Sequence, residues 1–173
     1  PLRKLMVAIT KAIREVDQQH LIIIEGNGWG NNYNGIFPLW DKNMALSFHK
    51  YWNYNDQASI AHIIKARDEQ NVPVWLGETG ENSNVWFTDA IHLLEKNNIG
   101  WSWWPLKKMG VNNPMQIKSN PNYDALVRYL NHGGDKPKDS NVYSGLMEVA
   151  IYSRLENTII HRDVIDAMIR QPF

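Results

Sequence analysis

Residues 74–82 read VWLGETGEN. Pro73 precedes them, and Val74, Trp75 and Leu76 suit a pleated, buried surface, so VWLGE (74–78) is predicted to be a strand. Gly77 and the carboxylate of Glu78 follow, with Gly80 two places on. A charge at the mouth of an apolar strand needs water, a partner or a purpose.

The same plan recurs on both sides of this stretch. LIIIE (21–25) is a short continuous apolar run of the kind shown by a strand buried on both faces, and MALSFH (44–49) and IGWSWW (99–104) read as further strands. Helices are predicted between them. The first covers 2–18, where Leu2, Leu5, Ile9, Ala12, Ile13 and Val16 share a stripe; the others cover 57–70, 85–96 and 123–130. Four strands at intervals of roughly 25–30 residues, joined by helices, indicate parallel βαβ units and an α/β fold.

An open doubly wound sheet and part of an eight-fold barrel both satisfy this pattern, and both gather functional groups at the carboxyl ends of their strands. Those ends are Glu25, His49, Glu78 and Trp104. By period-two alternation Glu78 shares a face with Leu76 and Val74, and His49 with Ser47 and Ala45. The opposite face, with Leu46, Phe48, Trp75 and Trp103, suits packing on helices.

Composition narrows the function. The chain has 173 residues, with 18 basic and 18 acidic side chains. That balance offers no basic face for nucleic acid. With no cysteine, disulfides, thiol chemistry and Cys-based zinc sites are ruled out. No apolar run approaches a membrane span, and the first residues lack the plan of a signal peptide. Eight tryptophans stand out, several near strand ends or in loops, where flat rings offer ligand platforms as well as packing.

Four motifs, LIIIEGNGWG, SFHKYW, WLGETGEN and WSWWPLKK, resemble in order and spacing the fifth to eighth strands of the retaining β-glycosidases of glycoside hydrolase family 5, the cellulase and endoglucanase family. The resemblance spans residues 1 to about 131. It implies the second half of a (β/α)8 TIM barrel over 1–132, strands 5 to 8, followed by a linker and helical extension over 133–173. Motif by motif, it makes Glu78 the catalytic nucleophile. His49 and Tyr51 would line the central sugar subsite, with the Tyr51 hydroxyl donating to Glu78. Trp104 would be the ring that stacks on a sugar, with Trp103 as the alternative. Read from the residues themselves, GNGWGNNYNG (26–35) is expected to be a cleft wall where Trp29 could stack on a sugar and asparagines bond hydroxyls, and Lys107 and Lys108 could touch substrate or form a solvated pair of charges.

These roles suit the chemistry, since a nucleophilic carboxylate must be ionised and held still and a phenol donating to it serves both needs. Taken singly, each residue also has a structural reading. Glu78 could pair with a cation, His49 could bond nearby backbone, and Tyr51 could cap the core with its hydroxyl in water.

A retaining glycosidase needs two carboxyls about 5–5.5 Å apart. The family's acid/base is the Glu of an Asn-Glu-Pro motif, which is absent here. The resemblance therefore implies an acid/base upstream of Pro1 and a chain that is a fragment, nearly inactive alone and partnered by the missing N-terminal half. Glu25 is expected to be a structural or subsite carboxylate, because its strand is not next to that of Glu78. Gly26, Gly28 and Gly30 form no dinucleotide fingerprint, having G-x-G-x-G spacing and no helix opening on the last glycine.

The expected function is secreted or periplasmic hydrolysis of a β-linked polysaccharide through a glycosyl-enzyme intermediate, with no cofactor or metal. The alternatives are a non-catalytic carbohydrate-binding or interaction domain on the same scaffold, and an unrelated α/β enzyme on a doubly wound sheet. Beyond the barrel, GGDKPKDS (133–140) is predicted to be a linker. SGLMEVAIYSRLEN and RDVIDAMIRQ are predicted helices on the outside of the barrel, and QPF a cut end.

Overall fold

A computed structural model describes residues 1–169. The chain divides into two compact units, Pro1–Trp104 and a second beginning at Pro105. The first runs α1 (Leu2–Val16), β1 (Ile22–Glu25), β2 (Met44–Lys50), α2 (Gln57–Gln70), β3 (Val74–Thr79), α3 (Asn84–Lys96) and β4 (Gly100–Trp103). Helix starts are set locally: Asp56 accepts from the Ser59 amide at 2.8 Å before α2, and Ser83 accepts from the Trp86 amide at 3.3 Å before α3.

The sheet has the order β1-β2-β3-β4 with every pair parallel. No switch in strand order occurs, and one core gathers Ile24, Leu46, Phe48, Val74 and Leu76 with Ile60 and Ile63 of α2 and Leu94 of α3. Leu2 and Met6 of α1 pack against it. Consecutive parallel strands with helices over a single core are the arrangement of a partial (β/α)8 barrel rather than a doubly wound sheet. The sheet is open, with β1 and β4 at its edges. Hence β1 is not buried on both faces as its apolar run suggested, and Ile23 remains 50% exposed.

The alternation argument fails at one decisive point. Leu76 and Val74 belong to the helix-side core, whereas a Cβ on Gly77 would meet Ser47 Oγ and Glu25 Oε1, so Gly77 faces the other way. Glu78, one residue later, should return to the helix side. It does not, because the register of β3 shifts on both its neighbours, between Phe48 and His49 and between Leu76 and Thr79. An irregularity of this kind re-aims a side chain, and Glu78 comes to lie opposite His49. Trp75 likewise is not on the helix side as expected, since its ring lies over Gly100 of β4.

The second unit holds β5 (Lys107–Lys108), β6 (Met115–Gln116), α4 (Pro121–His132), α5 (Asp139–Tyr152), β7 (Ile159–Ile160) and α6 (Arg162–Ile169). Its small sheet, order β5-β6-β7, was not anticipated. Asn120 joins the two longer helices: its Oδ1 accepts from the Tyr123 amide at 3.0 Å, and its Nδ2 donates to the Gly145 carbonyl at 3.0 Å. Helices α4 and α5 pack on each other as a hairpin. The charged stretch after Gly133 is therefore the turn of that hairpin, α5 starts within the expected linker, and the border between units precedes α4 instead of following it. The last residues of the predicted RDVIDAMIRQ helix and the QPF end lie outside the described residues. Among the described residues no helix is long and apolar enough to cross a membrane.

Candidate active site

The site sits where β1, β2 and β3 end. Strand β1 delivers Glu25, β2 delivers His49, the turn after it delivers Tyr51, and β3 delivers Glu78. Tyr51 donates its hydroxyl to Glu78 Oε1. Burial first, and then this bond, raise the Tyr51 pKa above its ordinary value, so the phenol keeps the proton it donates. His49 Nε2 lies 3.6 Å from Glu78 Oε2 and 3.0 Å from Glu25 Oε1. Ser47 Oγ donates to the same Glu25 oxygen at 2.6 Å. Glu25 and Glu78 stand on strands that are not neighbours, yet they meet one imidazole across the central strand.

Two glycines make room for this cluster. A Cβ on Gly77 would lie 2.2 Å from Ser47 Oγ, and one on Gly30 would lie 3.3 Å from His49 Cδ2. Gly30 also has φ of 82°, in the left-handed region that glycine tolerates. It belongs to the loop after β1, which folds back through paired backbone at Gly26 and Gly30 and at Asn27 and Asn32. That loop brings Asn31 Oδ1 to the His49 amide at 3.3 Å. Below it, Tyr33 donates its hydroxyl to the Ser47 carbonyl, and burial raises its pKa.

A cleft of about 430 Å³ opens over these groups, lined by Trp29, Asn31, His49, Tyr51, Trp52 and Glu78 among others. Trp29 is 86% exposed and Trp52 75% exposed, each offering a ring face. The segment carrying Tyr51 and Trp52 is tied down by Lys50, whose ammonium donates to Asn53 Oδ1 at 2.7 Å and to the Tyr54 carbonyl at 2.8 Å. Burial lowers the Lys50 pKa to about 8.

The other sequence-predicted residues have different partners. Trp103 is taken up by packing, edge-on to Phe87 at 4.4 Å between ring centres. Trp104, 53% exposed, is joined to β3 by its amide, which donates to the Thr79 carbonyl at 2.7 Å. It is not among the residues lining the cleft. Lys107 belongs to the second unit, where its ammonium donates to the Ser153 carbonyl. Asn31 belongs to the loop whose asparagines were expected to bond hydroxyls; Trp52 and Asn53 were not singled out, and their place just after SFHKY is the signal that could have found them.

Comparison with known proteins agrees with this architecture. The cleft and cluster lie within residues 1–110, which match the model of the cellulase family, glycosyl hydrolase family 5. The chain is similar to cellulose synthase subunit Z from Clostridioides difficile, with 16% identity and a TM-score of 0.59 over 98% of this chain and 56% of that one. It is similar also to Thermotoga maritima Cel5A, solved with mannotriose, with 16% identity and a TM-score of 0.56 over 96% of this chain and 54% of that one. An endo-β-1,4-glucanase from Xanthomonas axonopodis pv. citri gives 20% identity and a TM-score of 0.50 over 83% of this chain and 50% of that one. The chain thus spans about half the length of the solved structures it matches. No curated protein matches it. At these identities the solved structures speak for the fold, and the match over residues 1–110 speaks for descent: the chain belongs to glycosyl hydrolase family 5.

Proposed function

We propose that this chain carries the nucleophile side of a retaining β-glycosidase that cleaves a β-linked glucan-type polysaccharide. The observation that carries the proposal is the setting of Glu78: a strand-end carboxylate in an open cleft, held through Oε1 by the Tyr51 hydroxyl, with His49 at 3.6 Å from Oε2. Oε2 is then the oxygen left to attack the anomeric carbon. A donor bond to Oε1 stabilises the charge and fixes the carboxylate plane, so little reorganisation is needed as the covalent bond forms. Trp29 and Trp52 offer apolar faces for the C–H side of sugar rings, and Asn31 and Asn53 offer groups for their hydroxyls. Endoglucanases among the fold relatives support a glucan as substrate.

The acid/base carboxyl, in this proposal, comes from outside these 173 residues. Glu25 is engaged with Ser47 and His49, and no Asn-Glu-Pro stands in the sequence. The proposal puts the reaction outside the cytoplasm, on the strength of the family resemblance. The chemistry allows the nucleophile to be tested separately from the acid. An activated 2-deoxy-2-fluoro glycoside with a fluoride or dinitrophenolate leaving group needs no protonation to depart, so attack by Glu78 alone suffices to form the adduct. Mass spectrometry of the treated protein should locate the sugar on the peptide containing Glu78. A sugar on Glu25 overturns the assignment, and binding of oligosaccharide with no adduct favours a carbohydrate-binding domain that does not hydrolyse.

A further inference from the structure

We infer that Glu25 is a positioning residue that acts on Glu78 through His49, by holding the imidazole in the tautomer whose Nε2 carries the proton. The inference rests on the proposed role of Glu78 and extends it to a residue that the fold relatives and the family match do not assign. A carboxylate has no proton to offer, so at 3.0 Å the bond between Glu25 Oε1 and His49 Nε2 requires an Nε2–H donor. The same nitrogen faces Glu78 Oε2 at 3.6 Å. The N–H is therefore given to Glu25, and Glu78 Oε2 lies near it but beyond hydrogen-bond distance. Glu78 Oε2 is thereby edged by a donor without being tied up by it.

The surroundings are built to hold this arrangement. Ser47, only 3% exposed, donates to Glu25 Oε1 at 2.6 Å and pins the oxygen that meets the imidazole. A Cβ on Gly77 would come within 3.2 Å of that oxygen, and one on Gly30 within 3.6 Å of the Glu25 carboxyl carbon. At Gly77 the carboxylate takes space that a side chain would need, and at Gly30 it would only be in ordinary contact with one. Asn31 Oδ1 accepts from the His49 amide at 3.3 Å and holds its backbone. Remove the Glu25 charge and the nearer of the two carboxylates that favour Nε2–H is gone, which leaves only Glu78 Oε2 at 3.6 Å to favour it. With Nδ1–H instead, a lone pair at Nε2 would face Glu78 Oε2 and repel it.

Nitrogen NMR of the chain labelled with 15N-histidine reads the tautomer directly, with His49→Gln identifying the signal. The native protein should show His49 as Nε2–H. Glu25→Gln keeps the volume of the side chain but can accept or donate, and should move the tautomer ratio toward Nδ1–H by on the order of tenfold, as expected when a charge-assisted bond becomes a neutral one. The rate of fluoro-sugar adduct formation on Glu78 should fall on the same order. An Nδ1–H tautomer in the native protein, which requires no variant, overturns the inference. So does an unchanged ratio in a folded Glu25→Gln protein. The expected tautomers together with no adduct on native Glu78 would uphold the contact and overturn the hydrolase reading instead.

Discussion

Tyr51 and Gly77 carry the most in this site for their size. The Tyr51 hydroxyl is a donor to an ionised group, and such bonds contribute roughly 1.5–3 kcal/mol. Tyr51→Phe leaves the ring in place but removes this bond, so it should slow adduct formation on Glu78 by roughly 10- to 100-fold and also lower the unfolding midpoint. Gly77 is constrained by space alone. A methyl there would stand 2.2 Å from Ser47 Oγ, in a strand whose residues Leu46, Ser47 and Phe48 are all buried. Gly77→Ala should cost about 1–3 kcal/mol of stability in urea unfolding. Adding Ser47→Gly should recover a large part of it, and a double-mutant cycle measures the coupling.

Helix α1 shows how one element is fastened to the loop that precedes β2. Arg14 grips Asp41 through two bonds, at 2.8 and 3.0 Å, and its remaining nitrogen donates to the carbonyls of Asp17 and His20. The Arg14 hydrogen bond is the chief reason that the Asp41 pKa falls from 3.8 to about 2. Asp17, just past the helix, also falls to about 2, chiefly because the amides of His20 and Gln19 donate to it. Folded values below the unfolded ones mean that both contributions are complete above roughly pH 5 and are lost as pH falls toward 2. The urea midpoint should therefore decline over that range. Asp41→Asn should lower the midpoint at pH 7 and make the decline shallower, leaving the share that belongs to Asp17. An identical slope in the variant would count against the pair.

The two units can be followed separately because all eight tryptophans lie in the first, between Trp29 and Trp104, while the second contributes the helices α4, α5 and α6 among the described residues. Indole fluorescence reports one unit and far-ultraviolet circular dichroism reports both. Gly145 on α5 is buried, and a Cβ there would meet the Tyr123 amide nitrogen at 2.7 Å and Asn122 Cβ at 2.9 Å, where α4 begins. Gly145→Leu should force the hairpin apart. The dichroism transition should then broaden and begin at lower urea, with the fluorescence midpoint unmoved; equal shifts by both probes would mean that the units unfold as one.

What could be read from the amino acids alone was whatever depends on neighbours along the chain. The apolar periods read over 2–18 and 85–96 and the short runs at 21–25 and 74–78 mark elements because period is a local property. The order of Glu25, His49, Tyr51 and Glu78 along consecutive strand ends followed from the same pattern. The face taken by Glu78 did not, since it arises where β3 slips in register against both β2 and β4, and hydrogen-bond spacing between strands leaves no mark in the local alternation. Nor did the meeting of Glu25 and Glu78 at one imidazole, or the union of α4 with α5 across a stretch that resembles a linker. These contacts join residues far apart in the chain, and only folding brings them within reach of one another.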